Sequence, residues 1–218
     1  MFKTLTLYLL FSVFGVVTAE DADNAADPHL VMVLGDSISA AYGMPTEYGW
    51  VALLDETLQK KQITARIVNA SISGETTTGA LARLPALLQQ YPINTLVIEL
   101  GGNNALRGQS LDIMRSELRQ IIHQAHERGA SVLLIGMHIP PNYGKKYAQL
   151  FHQTFVDLAA TEGTALVPFL LESIHPDGLT PTPESDATQT TAERTAELGK
   201  LEEDEIARLL TKKLADME

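Results

Sequence analysis

The sequence contains no cysteine. No disulfide can staple the chain, no thiolate can serve as nucleophile or metal ligand, and no lipid can be attached through a thiol. Basic residues are also scarce: 16 Lys and Arg stand against 27 Asp and Glu, a formal charge of -11. Such a surface repels polyphosphates and anionic bilayers at long range, which argues against nucleic acid as a partner. No internal repeat is present. The one long apolar run, Leu5 to Val17, lies near the lower limit for a spanning helix.

That run follows Met1-Phe2-Lys3 and precedes Val17-Thr18-Ala19, with small residues at the minus-three and minus-one positions of a cleavage site. The pattern predicts a secretory signal peptide over residues 1–19, cut after Ala19; the alternative is an uncleaved anchor. The expected location is periplasmic or secreted, without stable membrane insertion after cleavage. Residues 20–28 read as a polar linker. With 218 residues, 45% of them hydrophobic, the remainder (29–218) suits one core rather than two.

Short apolar runs at 30–34, 65–68, 96–100, 132–135 and 165–167 alternate with amphipathic segments. The runs fit strands buried on both faces of a parallel sheet. Between them, Trp50, Leu53, Leu54, Thr57 and Leu58 share a helical face, as do Leu81, Leu84, Leu87 and Leu88, and Leu111, Met114, Leu118, Ile121 and Ile122. Alternating strands and helices imply right-handed crossovers and a three-layer, doubly wound α/β fold with a five-stranded parallel sheet. Ligands of such folds gather beyond the carboxyl ends of the strands. From about residue 172 the texture changes: Thr182 can cap a helix with Pro183 at its first position, and Ile206, Leu209, Leu210 and Leu214 form an apolar stripe.

Three loops after the strands carry candidate chemistry. Gly35-Asp36-Ser37 follows the first run; a serine flanked by glycine at a strand end can expose its hydroxyl to a general base, although the tripeptide is also ordinary capping chemistry. After the second run comes Asn69-Ala70-Ser71-Ile72-Ser73-Gly74-Glu75-Thr76-Thr77. It reads either as a turn into a helix capped by serine or threonine, or as a loop in which Gly74 aims its N–H at a developing oxyanion. After the third, Gly101-Gly102-Asn103-Asn104 delivers an asparagine amide to the same rim.

Together with Ile139-Pro140-Pro141-Asn142-Tyr143-Gly144 after the fourth run, these blocks resemble the SGNH (GDSL-type) hydrolases, most closely their bacterial periplasmic thioesterase, lysophospholipase and arylesterase branch. The likeness runs from about Val31 to Leu171. It implies a flavodoxin-like SGNH fold, Ser37 as nucleophile, and an oxyanion hole formed by the N–H groups of Ser37 and Gly74 with the Asn103 side chain. Asn104 departs from the family's usual aspartate at that place.

The family's last block sets an aspartate three residues before a histidine, the base that deprotonates the serine. Here Asp177 has Thr180 at that separation, and a threonine hydroxyl is no base near neutral pH. Two readings stay open: Asp177 is the family-equivalent acid with His175 as a displaced base, or Glu172 and His175 form the pair in another register. His123 and His126, three apart on one helix, mimic a metal pair but have no third ligand in view. His138 follows the fourth strand, and His29 and His152 read as structural.

The activity implied is hydrolysis of acyl esters or thioesters, with no metal and no organic cofactor, by a monomer acting on a small-molecule substrate. Tyr42, Met44, Leu106, Ile139 and Pro140 can line an apolar rim for an acyl or aryl group. One rival is a catalytically impaired relative that binds such ligands; another is an envelope scaffold that keeps only the fold.

Overall fold

Residues 28–169, with Arg208, Thr211 and Lys212, are described by a computed structural model. The expectations for residues 1–27 and for 170 onward, including the signal peptide, Glu172, His175, Asp177, Thr180, the Thr182 cap and the stripe of Ile206, Leu209, Leu210 and Leu214, lie outside the described residues.

All five apolar runs are strands: β1 (His29–Gly35), β2 (Ala65–Asn69), β3 (Thr95–Glu99), β4 (Ser131–Ile135) and β5 (Ala165–Val167). They form one parallel sheet in the order β2-β1-β3-β4-β5. The intervening helices are α1 (Trp50–Lys60), α2 (Thr77–Gln90), α3 (Gly102–Leu106), α4 (Leu111–His126) and α5 (Lys145–Glu162). Side chains on a strand alternate between faces. Val31 and Val33 of β1 accordingly join Val97, Leu133 and Ile135 under Trp50, Leu54 and Leu58 of α1. Met32 and Leu34 turn the other way, joining Leu96, Ile98 and Leu134 beneath α2, α4 and α5. Helices on both faces of a parallel sheet make the three-layer arrangement that the sequence predicts.

Two expectations need correcting. Burial on both faces holds for β1, β3 and β4, whereas Arg66 and Asn69 of β2 are exposed and its other residues half-buried. β2 pairs only with β1, so it is an edge strand whose apolar residues are only partly covered, Ala65 and Ile67 on one face and Val68 on the other. The stretch after β3, read as a loop, contains the short helix α3. Gly101, at φ 121°, makes the turn into it, and a Cβ there would stand 3.0 Å from Met114 Sδ and 3.2 Å from Phe155. Glycine is therefore required both by backbone conformation and by close approach.

The order of pairing positions the site. β1 lies between β2 and β3, so the chain leaves β1 and β3 in opposite directions along the sheet, and a crevice opens between their carboxyl ends. Register puts Gly35 beside Glu99 there.

Candidate active site

The turn after β1 folds back on itself: Ala40 N–H donates to the Asp36 carbonyl (2.9 Å) and Tyr42 N–H to that of Ser37 (3.0 Å). Ser37 is half-buried on this turn and Asp36 is buried. The Asp36 carboxylate accepts from Ile38 N–H (3.1 Å) and Asn103 Nδ2 (3.0 Å). Burial raises the Asp36 carboxyl above its ordinary value, opposed by hydrogen bonds from Ile38, Asn103 and Ser37.

Behind the turn lies Glu99, the last residue of β3. Its Oε2 accepts from Ser39 Oγ (2.7 Å) and Asp36 N–H (3.3 Å), while Oε1 is buried without a partner. Burial first, and the charge of Asp36 second, push the Glu99 carboxyl up to about 8. Each disfavours the ionised form, one by desolvation and the other by like-charge repulsion. A Cβ on Gly35 would stand 2.5 Å from Ser39 Oγ and 3.0 Å from Glu99 Oε2, so the residue before the aspartate has no room for a side chain.

The loop after β2 is tied to the same turn by Ile72 N–H donating to the Gly35 carbonyl (3.1 Å) and Asn69 Nδ2 to the Ser39 carbonyl (2.7 Å). Gly74 takes φ 79° in the Ile72–Glu75 turn, closed by Glu75 N–H on the Ile72 carbonyl (3.1 Å). Two arginines hold this loop: Arg83 bonds Glu75 (2.6 Å) and the Ala70 carbonyl, and Arg107 donates to the Gly74 carbonyl (3.1 Å). Thr76 caps α2 through its side chain, as one of the two readings expects.

Asn104 is buried behind the rim. It accepts from Thr77 N–H (3.1 Å) and donates to Thr77 Oγ1 (2.7 Å) and Gln109 Oε1 (2.8 Å). Thr77 in turn donates its hydroxyl to Glu117. The amide thus couples α3 to the start of α2, a task that uses both its acceptor and its donors.

The structure brings the segments of Ser37, Gly74 and Asn103 together through these bonds. Tyr42 (76% exposed), Met44, Leu106 and Pro140 are exposed, whereas Ile139 is half-buried and packs partly against the core. His29 bonds Thr95 (2.8 Å), and His123 bonds Glu162 (2.7 Å). His138 stacks on His152 at 4.0 Å and meets Phe169 edge-on. Among the described residues, no three His, Asp or Glu side chains converge as a metal would need.

Sequence reasoning missed Glu99, Ser39 and Arg107. The signal for Glu99 was there: a lone carboxylate inside an apolar strand, at the end facing the loops.

A parallel sheet with helices on both faces and its polar loops gathered at the switch between β1 and β3 defines a doubly wound α/β protein with its candidate site at the switch point. The model of the GDSL-like Lipase/Acylhydrolase family matches residues 33–194. The chain is 49% identical to Esterase TesA of Pseudomonas aeruginosa over 144 residues, 66% of this chain and 72% of that protein. It is 37% identical to an arylesterase of Vibrio mimicus over 192 residues, 85% of this chain and 92% of that one. Among solved structures, the psychrotrophic esterase EstA from Pseudoalteromonas sp., inhibited by monoethylphosphonate, superposes with a TM-score of 0.71 at 34% identity, covering 86% of this chain and 99% of that one. The chain belongs to the GDSL-like lipase/acylhydrolase family, the SGNH hydrolases.

Proposed function

We propose that the chain hydrolyses carboxylic esters and thioesters of apolar acyl or aryl groups through an acyl-enzyme on Ser37. The observation that carries this reading is the 3.0 Å hydrogen bond from Asn103 to Asp36, which ties the serine's turn to an amide on α3, the helix that follows β3. A side-chain amide nitrogen has two hydrogens. With one spent on Asp36, the other remains for a substrate oxyanion. Among the described residues no protein acceptor takes the Gly74 N–H, so it too is available.

In the proposed reaction, Ser37 Oγ attacks the acyl carbon as a base removes its proton. The carbonyl electrons move onto oxygen, which accepts from Ser37 N–H, Gly74 N–H and Asn103 Nδ2. Collapse expels the alcohol or thiol, which takes up the proton, and water releases the acid by the same steps. His175, with Asp177 or Glu172 as orienting acid, is the candidate base. Exposed apolar side chains on the loops after four strands, including Ile38, Tyr42, Met44, Ile72, Leu106 and Tyr143, support an apolar substrate. Export through residues 1–19 and action as a monomer complete the proposal; no helix among the described residues is long and apolar enough to cross a membrane.

A second reading, an impaired ligand-binding relative, is favoured by Thr180, which stands where the family's base belongs. Loss of one triad member costs about 10⁴ to 10⁶ in kcat while an intact oxyanion hole keeps about 10³ to 10⁴ over water. Hydrolysis of p-nitrophenyl butyrate by the wild type, Ser37→Ala, His175→Ala and Thr180→His separates them. Turnover dependent on Ser37 and His175 supports the displaced base. Turnover no higher than Ser37→Ala, raised substantially by Thr180→His, supports the impaired relative.

A further inference from the structure

Among the described residues, Glu99 is the one buried carboxylate in the strands, and the proposed chemistry does not use it. It lies 1% exposed under the nucleophile's turn, with Ser39 and the Asp36 N–H both donating to Oε2 and nothing bonded to Oε1. An ionised carboxylate has strong acceptors on both oxygens, and a buried one left half unsatisfied is costly. A neutral acid with its proton on Oε1 keeps both donors on Oε2 and leaves an uncharged O–H, rather than a charged oxygen, without a partner, which is the smaller cost. Asp36, by contrast, has a donor on each oxygen, from Ile38 and Asn103, the pattern of an ionised group. The two carboxyls therefore hold one proton between them, and Glu99 keeps it.

We infer that Glu99 is a positioning residue, a neutral carboxylic acid that braces the turn carrying Ser37 through Asp36 N–H and Ser39 Oγ. Its ionisation would place a second buried negative charge beside Asp36, next to the position where the reaction develops an oxyanion. Asp36 is the charged group that acts on it; the groups bonded to the pair, Ser37, Ile38, Ser39 and Asn103, carry no charge. Burial and the Asp36 charge raise the Glu99 carboxyl far above the ordinary carboxylate range, in accord with this geometry. The sign of the linkage follows: the native state holds a proton that the unfolded chain has already lost. The contribution of Glu99 to folding stability is fullest below the unfolded carboxylate range, and falls as pH rises until the native carboxyl ionises near 8.

The catalytic part of this inference rests on Ser37 being the nucleophile; the protonation part does not. Glu99→Gln is isosteric and keeps an acceptor for Ser39 and Asp36 without a titratable proton. Infrared spectra of the wild type at pH 7 are expected to show the C=O stretch of a protonated carboxylic acid that Glu99→Gln lacks. Between pH 5 and 8, the folding equilibrium constant of the wild type is expected to lose up to about tenfold per pH unit relative to Glu99→Gln. On an ester substrate, the ratio of kcat at pH 9 to kcat at pH 7 should rise in Glu99→Gln, with KM little altered. Ser39→Ala removes a donor that favours ionisation, so it should move the alkaline decline to higher pH. An unchanged infrared band, or parallel stability curves, would overturn the neutral acid. Identical alkaline limbs with the band present would overturn the positioning role, and an absence of ester turnover in every variant would count against the Ser37 reading alone, leaving the infrared and unfolding results to decide the protonation.

Discussion

Replacing Gly35 by alanine tests how tightly the nucleophile turn is fitted to the sheet. The new methyl group would lie 2.5 Å from Ser39 Oγ, 2.6 Å from Ser39 Cβ and 3.0 Å from Glu99 Oε2. Neither Ser39 nor Glu99 can swing away into solvent, since both are 1% exposed. Overpacking of this kind costs about 1 to 3 kcal/mol, and displacing Ser39 also breaks its buried bond to Glu99, a further cost of about 1 to 3 kcal/mol. The expected loss is thus about 2 to 6 kcal/mol, large against a typical domain stability of about 5 to 15 kcal/mol. Trp50, the only tryptophan and itself 1% exposed, reports unfolding in urea by its fluorescence. The diagnostic experiment is a double-mutant cycle with Ser39→Gly. That change removes the hydroxyl and Cβ that the methyl would strike, and it forfeits the same hydrogen bond. The double variant should therefore be more stable than additivity predicts by at least about 1 kcal/mol. A Gly35→Ala protein within about 0.5 kcal/mol of the wild type, or an additive cycle, would refute the reasoning from close contact.

Asn103→Ala should lower kcat for p-nitrophenyl butyrate about 10² to 10³-fold with little change in KM, because an oxyanion donor acts mainly in the transition state; a change confined to KM would remove Asn103 from that role. Ala41 occupies the left-handed region at φ 54°, which costs a residue with a Cβ about 1 to 2 kcal/mol. Ala41→Gly should consequently stay within about 1 kcal/mol of the wild type in urea unfolding, despite the buried methyl it gives up and the entropy glycine adds to the unfolded chain. Asn104→Asp replaces the donor to Thr77 and Gln109 with an acceptor and should cost about 1 to 3 kcal/mol. Adding Glu117→Gln should recover part of it, since the new amide can donate to Thr77 and free its hydroxyl proton for the carboxylate introduced on α3; no recovery would show that the network is not shared.

The five strands were legible because each is a short apolar run bounded by polar turns, and their ends fall within a residue or so of the runs. Their contexts were less so. Nothing in Ala65-Arg66-Ile67-Val68 distinguishes an edge strand from a central one, since the difference lies in which strand pairs alongside. The glycine pair at 101 and 102 suggested a loop, yet tertiary packing of Asn104 and Ala105 overrides a weak helical preference and produces α3. At the site, Ser37, Gly74 and Asn103 could be singled out because each stands in a recognisable block after a strand. The supports could not be assigned in the same way. Asp36 and Glu99 are 63 positions apart in sequence, and no local pattern says which strand will be β1's neighbour. Asn104 could be flagged as a departure, but its pairing with Thr77 on α2, and through Thr77 with Glu117 on α4, emerges only from the fold.

The pairing of β1 also bears on the order in which the molecule can be assembled. A chain made from its amino terminus exposes β1 first, then β2, and for some time β1 has one flank unoccupied. Its second flank is β3, which ends at Glu99, so Ser39 has no carboxyl to donate to until a further 60 residues have been synthesised. The segment bearing Ser37 is made before its brace, which follows Ser39 by 60 residues. Until then β1 offers an open edge, of the kind that invites mispairing in nascent chains.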